Sequence, residues 1–401
     1  MADLDSFRAE AREWLQAHAP ASLRGHRVDE SGGNWGGRRA VFDPPEMKDW
    51  LDAMAERGWT APGWPRAYGG GGLEPAEAKA LGQELAQLEL PAPLTGFGLT
   101  MIGPTLLRFG SEELKREHLP RICRGEIRWC QGYSEPDAGS DLASLKTRAE
   151  RDGDHFVVSG TKVWTSYGDL SDWIFALVRT DPHARKRQEG ITFLLIDMDT
   201  PGVSVKPIKL ISGKSPFCET HFENVRVPVA NALGKIDGGW TVAKVLLGHE
   251  RTMIADVFSG MARLQERGGS ALPDLARKYL GGDGGIDSAL RERIAQIEMD
   301  TRAFHLTVQR TRDAAKAGHQ PGPESSLFKV FATELNKRRS ELAVTIAGPA
   351  GLGWEGPGFD DGELARTRSW LRARGNSIEG GTSEIQLNII AKRVLGLPDA
   401  R

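Results

Sequence analysis

One carboxylate stands out because it interrupts an apolar helical face. Apolar residues at helical spacing predict such a face at Leu246, Met253, Ile254, Val257, Met261 and Leu264. Glu250 lies between Leu246 and Met253 at the same spacing, so it belongs to this face. A carboxylate there is either paired, for example with Arg251 or an arginine of another helix, or used in chemistry as a base. The spacing alone leaves both interpretations open.

A second candidate is the polar segment from Trp129 to Asp141, where a helical pattern gives way to strands. Pro136 and Gly139 disfavour regular backbone within it. The side chains that offer hydrogen bonds there include Gln131, Ser134 and Ser140. Such a segment suits a flat polar ligand, and an ordinary polar turn would look the same.

Several common catalytic and nucleotide-binding patterns are excluded. Residues 351–356 read Gly-Leu-Gly-Trp-Glu-Gly, but a helical stretch precedes them rather than a strand, so we interpret them as a loop. The sequence has no phosphate-binding P-loop, no His-Glu-x-x-His motif and no Gly-x-Ser-x-Gly elbow. Cys123, Cys130 and Cys218 fit neither a disulfide framework nor a zinc site, so we expect buried reduced thiols and no metal.

Composition narrows the class of protein further. The 401 residues carry 52 Lys+Arg against 54 Asp+Glu, a net charge of −2 that disfavours nucleic acid as a partner. A hydrophobic content of 39% supports a globular core. The N-terminus lacks the basic and apolar regions of a secretory signal, and no apolar run is long enough to span a membrane. We therefore expect a cytoplasmic protein.

Three regions differ in their periodicity, which predicts an α+β multidomain chain. Residues 1–128 read as a helical domain. Residues 129–236 read as short strands separated by turn signals, which favours an antiparallel β-barrel or sandwich. Residues 237–401 read as a helical bundle of four long helices, over residues 241–266, 288–317, 324–347 and 382–395. Within this last domain we expect the glycine-rich segment 268–285 to separate the first two helices.

Three segments resemble signatures of the acyl-CoA dehydrogenase family. They are Tyr133-Ser-Glu-Pro-Asp-Ala-Gly-Ser-Asp141, Trp164-Thr-Ser166 and Ile378-Glu-Gly-Gly-Thr-Ser-Glu-Ile-Gln386. Their order and spacing match the family, as does the helix–strand–helix division of the chain. Shorter segments resemble bacterial members of the pimeloyl-CoA and steroid side-chain type.

The resemblance implies FAD-dependent α,β-dehydrogenation of an acyl-CoA thioester to a trans-2-enoyl-CoA. In the family a carboxylate removes the α-proton while the β-hydrogen leaves as hydride to flavin N5. Many members place this base where the present chain has Gly380. Glu250 matches the other family position, which the isovaleryl-CoA and long-chain branches use, and we favour it as the base. Glu379, the neighbour of Gly380, is the alternative base.

The resemblance also implies further site residues. The Gly380 backbone N–H would bind the thioester oxygen together with a flavin ribityl hydroxyl, and Ser140 and Arg251 would contact the substrate. The implied cofactor contacts are Gln131, Tyr133, Ser134, Gly139, Ser140, Trp164, Thr165, Ser166, Thr345, Gly348, Thr382 and Glu384. The last four would hold the adenosine and diphosphate of FAD, partly across a subunit boundary.

One departure from the family pattern keeps alternatives open. Many members bind the FAD diphosphate through an Arg-x-x-Phe-Gly motif, which is missing from residues 275–284, where Arg277 or Lys278 could substitute. A flavin oxidase or monooxygenase, or a flavin-poor structural subunit of a mixed tetramer, would share this fold. The partners that the resemblance implies are an acyl-CoA, an electron-transferring flavoprotein, and further subunits in a homodimer, homotetramer or mixed tetramer. The acyl chain it accepts depends on loops such as residues 91–103.

Overall fold

The computed structural model describes residues 2–26, 34–248, 272–281, 286–317, 322–323 and 325–398. The chain forms two compact units. The first unit comprises Met1–Ile208 and Pro216–His249, and the second comprises Lys209–Ser215 and Glu250–Arg401. The division into three domains at residues 128 and 236 stays a prediction.

The first unit begins with helices that pack around an aromatic core. Their bounds are α1 Ala2–His18, α2 Glu46–Glu56, α3 Pro75–Gln87, α4 Gly103–Phe109 and α5 Glu112–Cys123. Trp50 and Trp59 are buried in this core with apolar residues of α1, α2 and α3. A turn of π-helix, Gly98–Ile102, leads directly into α4.

A seven-stranded sheet follows in the same unit. Its strands are β1 Trp129–Gly132, β2 Arg148–Asp152, β3 His155–Ser166, β4 Trp173–Arg179, β5 Ile191–Asp197, β6 Val203–Ile208 and β7 Phe217–Pro228. The order is β1-β4-β2-β3-β7-β6, with β5 paired to β4. The sheet is mostly antiparallel, as expected, but β4 pairs in parallel with β1 and with one residue of β2. Residues 239–248 are helical and are labelled α6.

Strand β3 contains an irregularity that decides which of its last side chains point into the core and which point outward. Lys162 pairs with Thr220 and Thr165 pairs with Cys218, so β3 carries one more residue than β7 between these pairs. The extra residue forms a β-bulge, and Trp164 within it has a left-handed φ of 62°. Lys162 and Thr165 are both fully buried, whereas Trp164 faces outward.

The second unit is helical. Its helices are α7 Leu272–Leu280, α8 Ser288–Lys316, α9 Ser325–Ala347, α10 Asp361–Ala373 and α11 Ser383–Ile389. Helix α7 lies inside the glycine-rich segment that we expected only to separate two helices. This part of the segment is helical because its apolar residues pack into the core formed with α8 and α9. Helix α10 was absent from our expectation, although Asp360 and Glu363 form a capping box at its start.

Two findings concern the cysteines and the possibility of a membrane-spanning helix. Cys123, Cys130 and Cys218 are free and buried. In the part of the chain that the structure describes, no helix is long and apolar enough to cross a membrane.

Candidate functional site

A buried ion pair anchors the loop that follows β1. The Lys162 ammonium, on β3, lies 2.8 Å from Glu135 Oε1 and donates at 3.2 Å to the Tyr133 carbonyl. The Glu135 carboxylate also accepts from the backbone N–H groups of Lys146 and Thr147, at 2.6 and 2.9 Å. Four hydrogen bonds from three donors therefore fix the polar segment 133–147 against β3.

Burial and mutual attraction shift the pKa values of both members of this pair. Burial lowers the pKa of Lys162 to about 8, although the neighbouring Glu135 opposes the shift. Burial alone would raise the pKa of Glu135, but Lys162 and the surrounding hydrogen-bond donors outweigh it and lower this pKa below its usual value. Both members of the pair are therefore ionised at neutral pH. Burial makes the charged form of Lys162 less favourable than it would be in water.

The same loop is joined directly to the segment containing Trp164. The Val163 N–H donates to the Ser134 carbonyl at 2.9 Å, so the two motifs lie side by side. Trp164 is 54% exposed and touches Phe217 only edge-on. The hydroxyls of Ser134 and Ser166 make no hydrogen bond to any residue that the structure describes. A bare aromatic face beside two available hydroxyls can pack against a flat, polar ring system.

The other predicted cofactor contacts of this unit differ in how accessible their side chains are to a ligand. The Thr165 hydroxyl accepts from Thr220 inside the sheet, so this buried side chain has no exposed surface for a ligand. The Tyr133 ring is buried against Phe175 and Phe193. The three remaining positions are partly or fully exposed on β1 and the loop after it: Gln131, Gly139 and Ser140.

In the second unit, Gly380 lies in a turn that only glycine adopts without strain. Its φ is 63°, and that of Gly381 is 88°. A Cβ on Gly381 would lie 2.5 Å from the Gln386 side chain. The Gly380 N–H donates to no acceptor among the described residues, whereas its carbonyl accepts from Gln386 at 3.4 Å. The turn therefore presents a backbone donor that a ligand oxygen can use.

The alternative base, Glu379, is engaged by its own unit. Arg372 reaches both of its carboxylate oxygens, at 3.3 and 2.7 Å, and Asn376 donates to Oε1 at 2.5 Å. Asn376 is itself fixed to α9, because its carbonyl accepts from Lys329 and its side chain accepts from Asn336. These contacts give Glu379 a structural role in holding the Gly380 turn.

The predicted adenosine and diphosphate contacts lie at two separate places in the second unit. The Thr382 hydroxyl caps α11, and Glu384 is exposed in the first turn of that helix. The Thr345 hydroxyl donates to the Glu341 carbonyl near the end of α9, and Gly348 follows with a φ of 54°. Asn336, which donates to Asn376 shortly before the Gly380 turn, precedes Thr345 on α9 by about 13 Å of helix.

Two further predictions cannot be placed in full. Glu250 and Arg251 lie outside the described residues. Of the two cations considered for the diphosphate, Lys278 pairs with Asp360 on α10 and Arg277 pairs with Asp274 within α7, and both ion pairs are exposed.

Sequence reasoning missed the residues that hold the site together. Glu135 lies inside the first motif, and its buried partner Lys162 was not considered. A lysine at an inward position of a strand was the available signal, because lysine is almost never fully buried without a partner. Asn376 carried no comparable signal, since its role depends on the fold of α9.

Comparisons with known proteins agree along the whole chain. Family models described as the N-terminal, middle and C-terminal domains of acyl-CoA dehydrogenase match residues 2–126, 130–225 and 237–395. The acyl-CoA dehydrogenase IpdE1 of Mycobacterium tuberculosis is 37% identical over 401 residues, covering 99% of each chain.

Solved structures show the same likeness. A structure titled Tcur3481-Tcur3483 steroid ACAD superposes with a TM-score of 0.76 at 30% identity, covering 100% of this chain and 99% of that one. The ChsE4-ChsE5 complex from Mycobacterium tuberculosis gives a TM-score of 0.73 at 29% identity, with the same coverage. The predicted fold class is therefore confirmed, and the chain belongs to the acyl-CoA dehydrogenase family of flavoenzymes.

Proposed function

We propose that this protein binds FAD and dehydrogenates an acyl-CoA thioester between its α- and β-carbons, giving a trans-2-enoyl-CoA. The observation that carries the proposal is the junction of the two motifs of the first unit. There the bond from Val163 to Ser134 sets the exposed Trp164 face beside the Ser134 and Ser166 hydroxyls. These groups suit the aromatic ring and the polar edge of a flavin.

Bound FAD supplies the acceptor for the hydride that leaves the β-carbon. Trp164 packs against the ring system, and Ser134 and Ser166 donate to its polar edge. Gln131, Gly139 and Ser140 border the same region, with Ser140 towards the CoA. Tyr133 and Thr165 contribute through their backbones, since their side chains are buried.

The remaining contacts to FAD are proposed in the second unit. Thr382, Glu384, Thr345 and Gly348 hold the adenosine and diphosphate, with one of the two groups acting on the FAD of another subunit. Arg277 or Lys278 substitutes for the missing diphosphate arginine, because the ion pair that each makes among the described residues is exposed and therefore weak.

The chain itself supplies the acid–base chemistry. The Gly380 N–H donates to the thioester oxygen, which stabilises the negative charge that develops there as the α-proton leaves. Glu250 accepts that proton on its carboxylate, and the neighbouring Arg251 contacts the substrate. Glu379 is the weaker alternative, because Arg372 and Asn376 already occupy its oxygens.

We propose an electron-transferring flavoprotein as the partner that reoxidises the enzyme, and an oligomer as the working form. Two related structures, the Tcur3481-Tcur3483 steroid ACAD and the ChsE4-ChsE5 complex, are each named after two components, which supports testing a mixed tetramer beside a homodimer and a homotetramer.

The test is the visible spectrum of the purified chain before and after anaerobic addition of a panel of acyl-CoA thioesters. We expect a flavin spectrum that bleaches with at least one thioester. Glu250→Gln should keep the flavin and lose the bleaching, whereas Glu379→Gln should keep the flavin and still bleach, at a lower rate because its ion pair with Arg372 no longer holds the Gly380 turn.

Three outcomes would contradict parts of this proposal. Full activity of Glu250→Gln would remove Glu250 as the base. Rapid consumption of oxygen by the reduced protein would indicate an oxidase or monooxygenase. A colourless chain that FAD cannot reconstitute, alone or with a second subunit, would indicate a structural subunit.

A further inference from the structure

The Gly380 turn carries the backbone donor that we assign to the thioester, but glycine by itself does not fix the direction of that donor. Gly380 has a φ of 63°, and glycine adopts positive and negative φ with similar ease. The peptide group between Glu379 and Gly380 can therefore rotate at the glycine end at little cost. Such a rotation would turn its N–H away from a bound ligand, so neighbouring residues must hold it.

Residues after Gly380 hold the peptide group that follows it. The Gln386 side chain, on α11, is only 5% exposed and donates to the Gly380 carbonyl at 3.4 Å. Its amide nitrogen lies 2.5 Å from where a Cβ on Gly381 would be. These contacts fix the Gly380–Gly381 peptide group, but they do not reach the peptide group that carries the Gly380 N–H.

The peptide group that carries this N–H is held through Glu379. The Glu379 N–H donates to the Gly375 carbonyl at 3.1 Å. The Glu379 carboxylate accepts from Arg372 at 2.7 Å and from the Asn376 side chain at 2.5 Å. Because Gly380 resists rotation so little, the resistance must come from the residue before it. The position of Glu379 therefore sets the direction of the Gly380 N–H.

Asn376 connects Glu379 to helix α9. The Asn376 carbonyl accepts from Lys329 at 2.8 Å and from Thr333 at 3.4 Å. Its side-chain oxygen accepts from Asn336 at 2.9 Å. These three residues lie on successive turns of α9, which packs into the core of the unit, and Thr333 is fully buried. Asn376 thus ties Glu379 to a rigid helix.

The amide of Asn376 can serve both neighbours in one orientation only. Its NH2 group faces the Glu379 carboxylate, which can only accept, and its oxygen faces the Asn336 NH2 group. A reversed amide would set two acceptors against each other at 2.5 Å. Asparagine therefore accepts from α9 and donates to Glu379 at the same time, which an aspartate of the same shape could not do.

We propose that Asn376 is a positioning residue for the dehydrogenation, because its bond to Glu379 directs the Gly380 N–H at the thioester oxygen. This inference rests on the proposed function, which assigns that N–H to the thioester. The Glu379 carboxylate then holds the turn and exchanges no proton with the substrate. A donor that is already in place needs no rearrangement when negative charge develops on the oxygen.

The experiment reverses the bond between the two side chains. Asn376→Asp keeps the shape but sets a second carboxylate against Glu379, so the two side chains separate. Adding Glu379→Gln restores the total charge, and the glutamine NH2 group can donate to the new carboxylate.

Ser377→Ala is the matched control in the same segment. The Ser377 hydroxyl accepts from Lys337 at 2.8 Å and donates to Glu334 at 3.2 Å, both on α9. It makes no bond to Glu379 among the described residues. This variant therefore loosens the same segment from α9 without removing the bond that we propose to matter.

Two readouts report on the thioester oxygen. The infrared band of the carbon-13-labelled carbonyl of bound trans-2-enoyl-CoA moves to lower frequency when its oxygen accepts hydrogen bonds, and it needs no turnover. In Asn376→Asp this downshift should shrink by about half, because one of two proposed donors is displaced. The rate of anaerobic bleaching should fall by about 10- to 100-fold. Binding of the enoyl-CoA should weaken by less than about 5-fold, since the bond is strongest in the transition state.

The double variant should recover most of the downshift and of the rate, and Ser377→Ala should keep both at the wild-type level. A wild-type downshift in Asn376→Asp, no recovery in the double variant, or an equal loss in Ser377→Ala would overturn the inference. If Asn376→Asp does not fold, Asn376→Ala takes its place with the same expectation, because it keeps the backbone bonds to Lys329 and Thr333.

The two readouts also separate this inference from the proposed function. A wild-type protein that bleaches, with an Asn376→Asp variant that behaves identically, would refute the positioning and leave the proposed function intact. A wild-type protein that shifts the carbonyl band without bleaching would contradict the dehydrogenation, while loss and recovery of the downshift in the variants would still support the positioning. A wild-type protein without a downshift would overturn the N–H assignment and this inference with it.

Discussion

Replacing Glu135 by glutamine tests whether the buried ion pair holds the loop that we propose faces the flavin. The substitution removes the carboxylate that faces Lys162 while it keeps the size of the side chain. The amide oxygen can accept from the Lys146 or the Thr147 N–H, but the amide NH2 must then face the other donor. One hydrogen bond and the counter-charge of a fully buried lysine are lost together.

The expected cost is large for a single substitution. Removing one partner of a buried ion pair destabilises a protein by about 3–5 kcal/mol, because the other charge stays buried without compensation. We therefore expect Glu135→Gln to lower the free energy of unfolding of the first unit by about 3 kcal/mol at neutral pH. Adding Lys162→Met should recover much of this loss, since it removes the charge that was left unpaired.

The pH dependence has a defined sign. Unfolded lysine titrates near 10.5, whereas folded Lys162 titrates near 8, so the unfolded state binds more protons between these values. The stability contributed through Lys162 in the native protein therefore rises from about pH 8 to about pH 10.5, by about 3 kcal/mol. In Glu135→Gln the rise should begin at lower pH, because the neighbour that raised this pKa has gone.

Denaturant unfolding at several pH values, with hydrogen exchange of residues 129–147, measures these effects. Glu150→Gln, an exposed position on β2, is the matched control and should change stability by less than about 0.5 kcal/mol. A cost below about 1 kcal/mol for Glu135→Gln would refute the reasoning. So would a loss that is the same at pH 7 and pH 10, or one that Lys162→Met leaves unchanged.

Two smaller changes test the two faces of the proposed site. Trp164→Ala should weaken FAD binding by about 10- to 100-fold, measured by flavin fluorescence. It should cost little folding stability, because the side chain is mostly exposed. Unchanged affinity would show that the ring does not contact the flavin. Gly380→Ala should lower kcat by about 100-fold while FAD stays bound. The added Cβ is strained at a φ of 63° and moves the N–H that we assign to the thioester. A wild-type kcat in this variant would remove that N–H from the mechanism.

The regular helices and the order of the regions could be predicted from the sequence, because periodicity and caps are local signals. Helix α9 begins within a residue of its predicted start, and its predicted end agrees with the structure. Helix α7 was missed because glycines at both of its sides suggested a break, while the core that α8 and α9 provide for its apolar face depends on tertiary packing. The contacts of Glu379 with Arg372 and Asn376 are likewise set by how the turn lies on α9.

The side chains at the end of β3 show why a correct motif still does not give a correct site. Strict alternation from Lys162 would place Trp164 inside the sheet and Thr165 outside. The bulge adds one residue, so Thr165 turns inward to Thr220 and Trp164 turns outward with a left-handed backbone. A non-glycine residue is held in this conformation only when its surroundings demand it, and such strain concentrates at ligand sites. The fully buried Lys162 fixes the strand just before the bulge, so the ion pair that anchors the loop and the strain that exposes the tryptophan act within a few residues of one another.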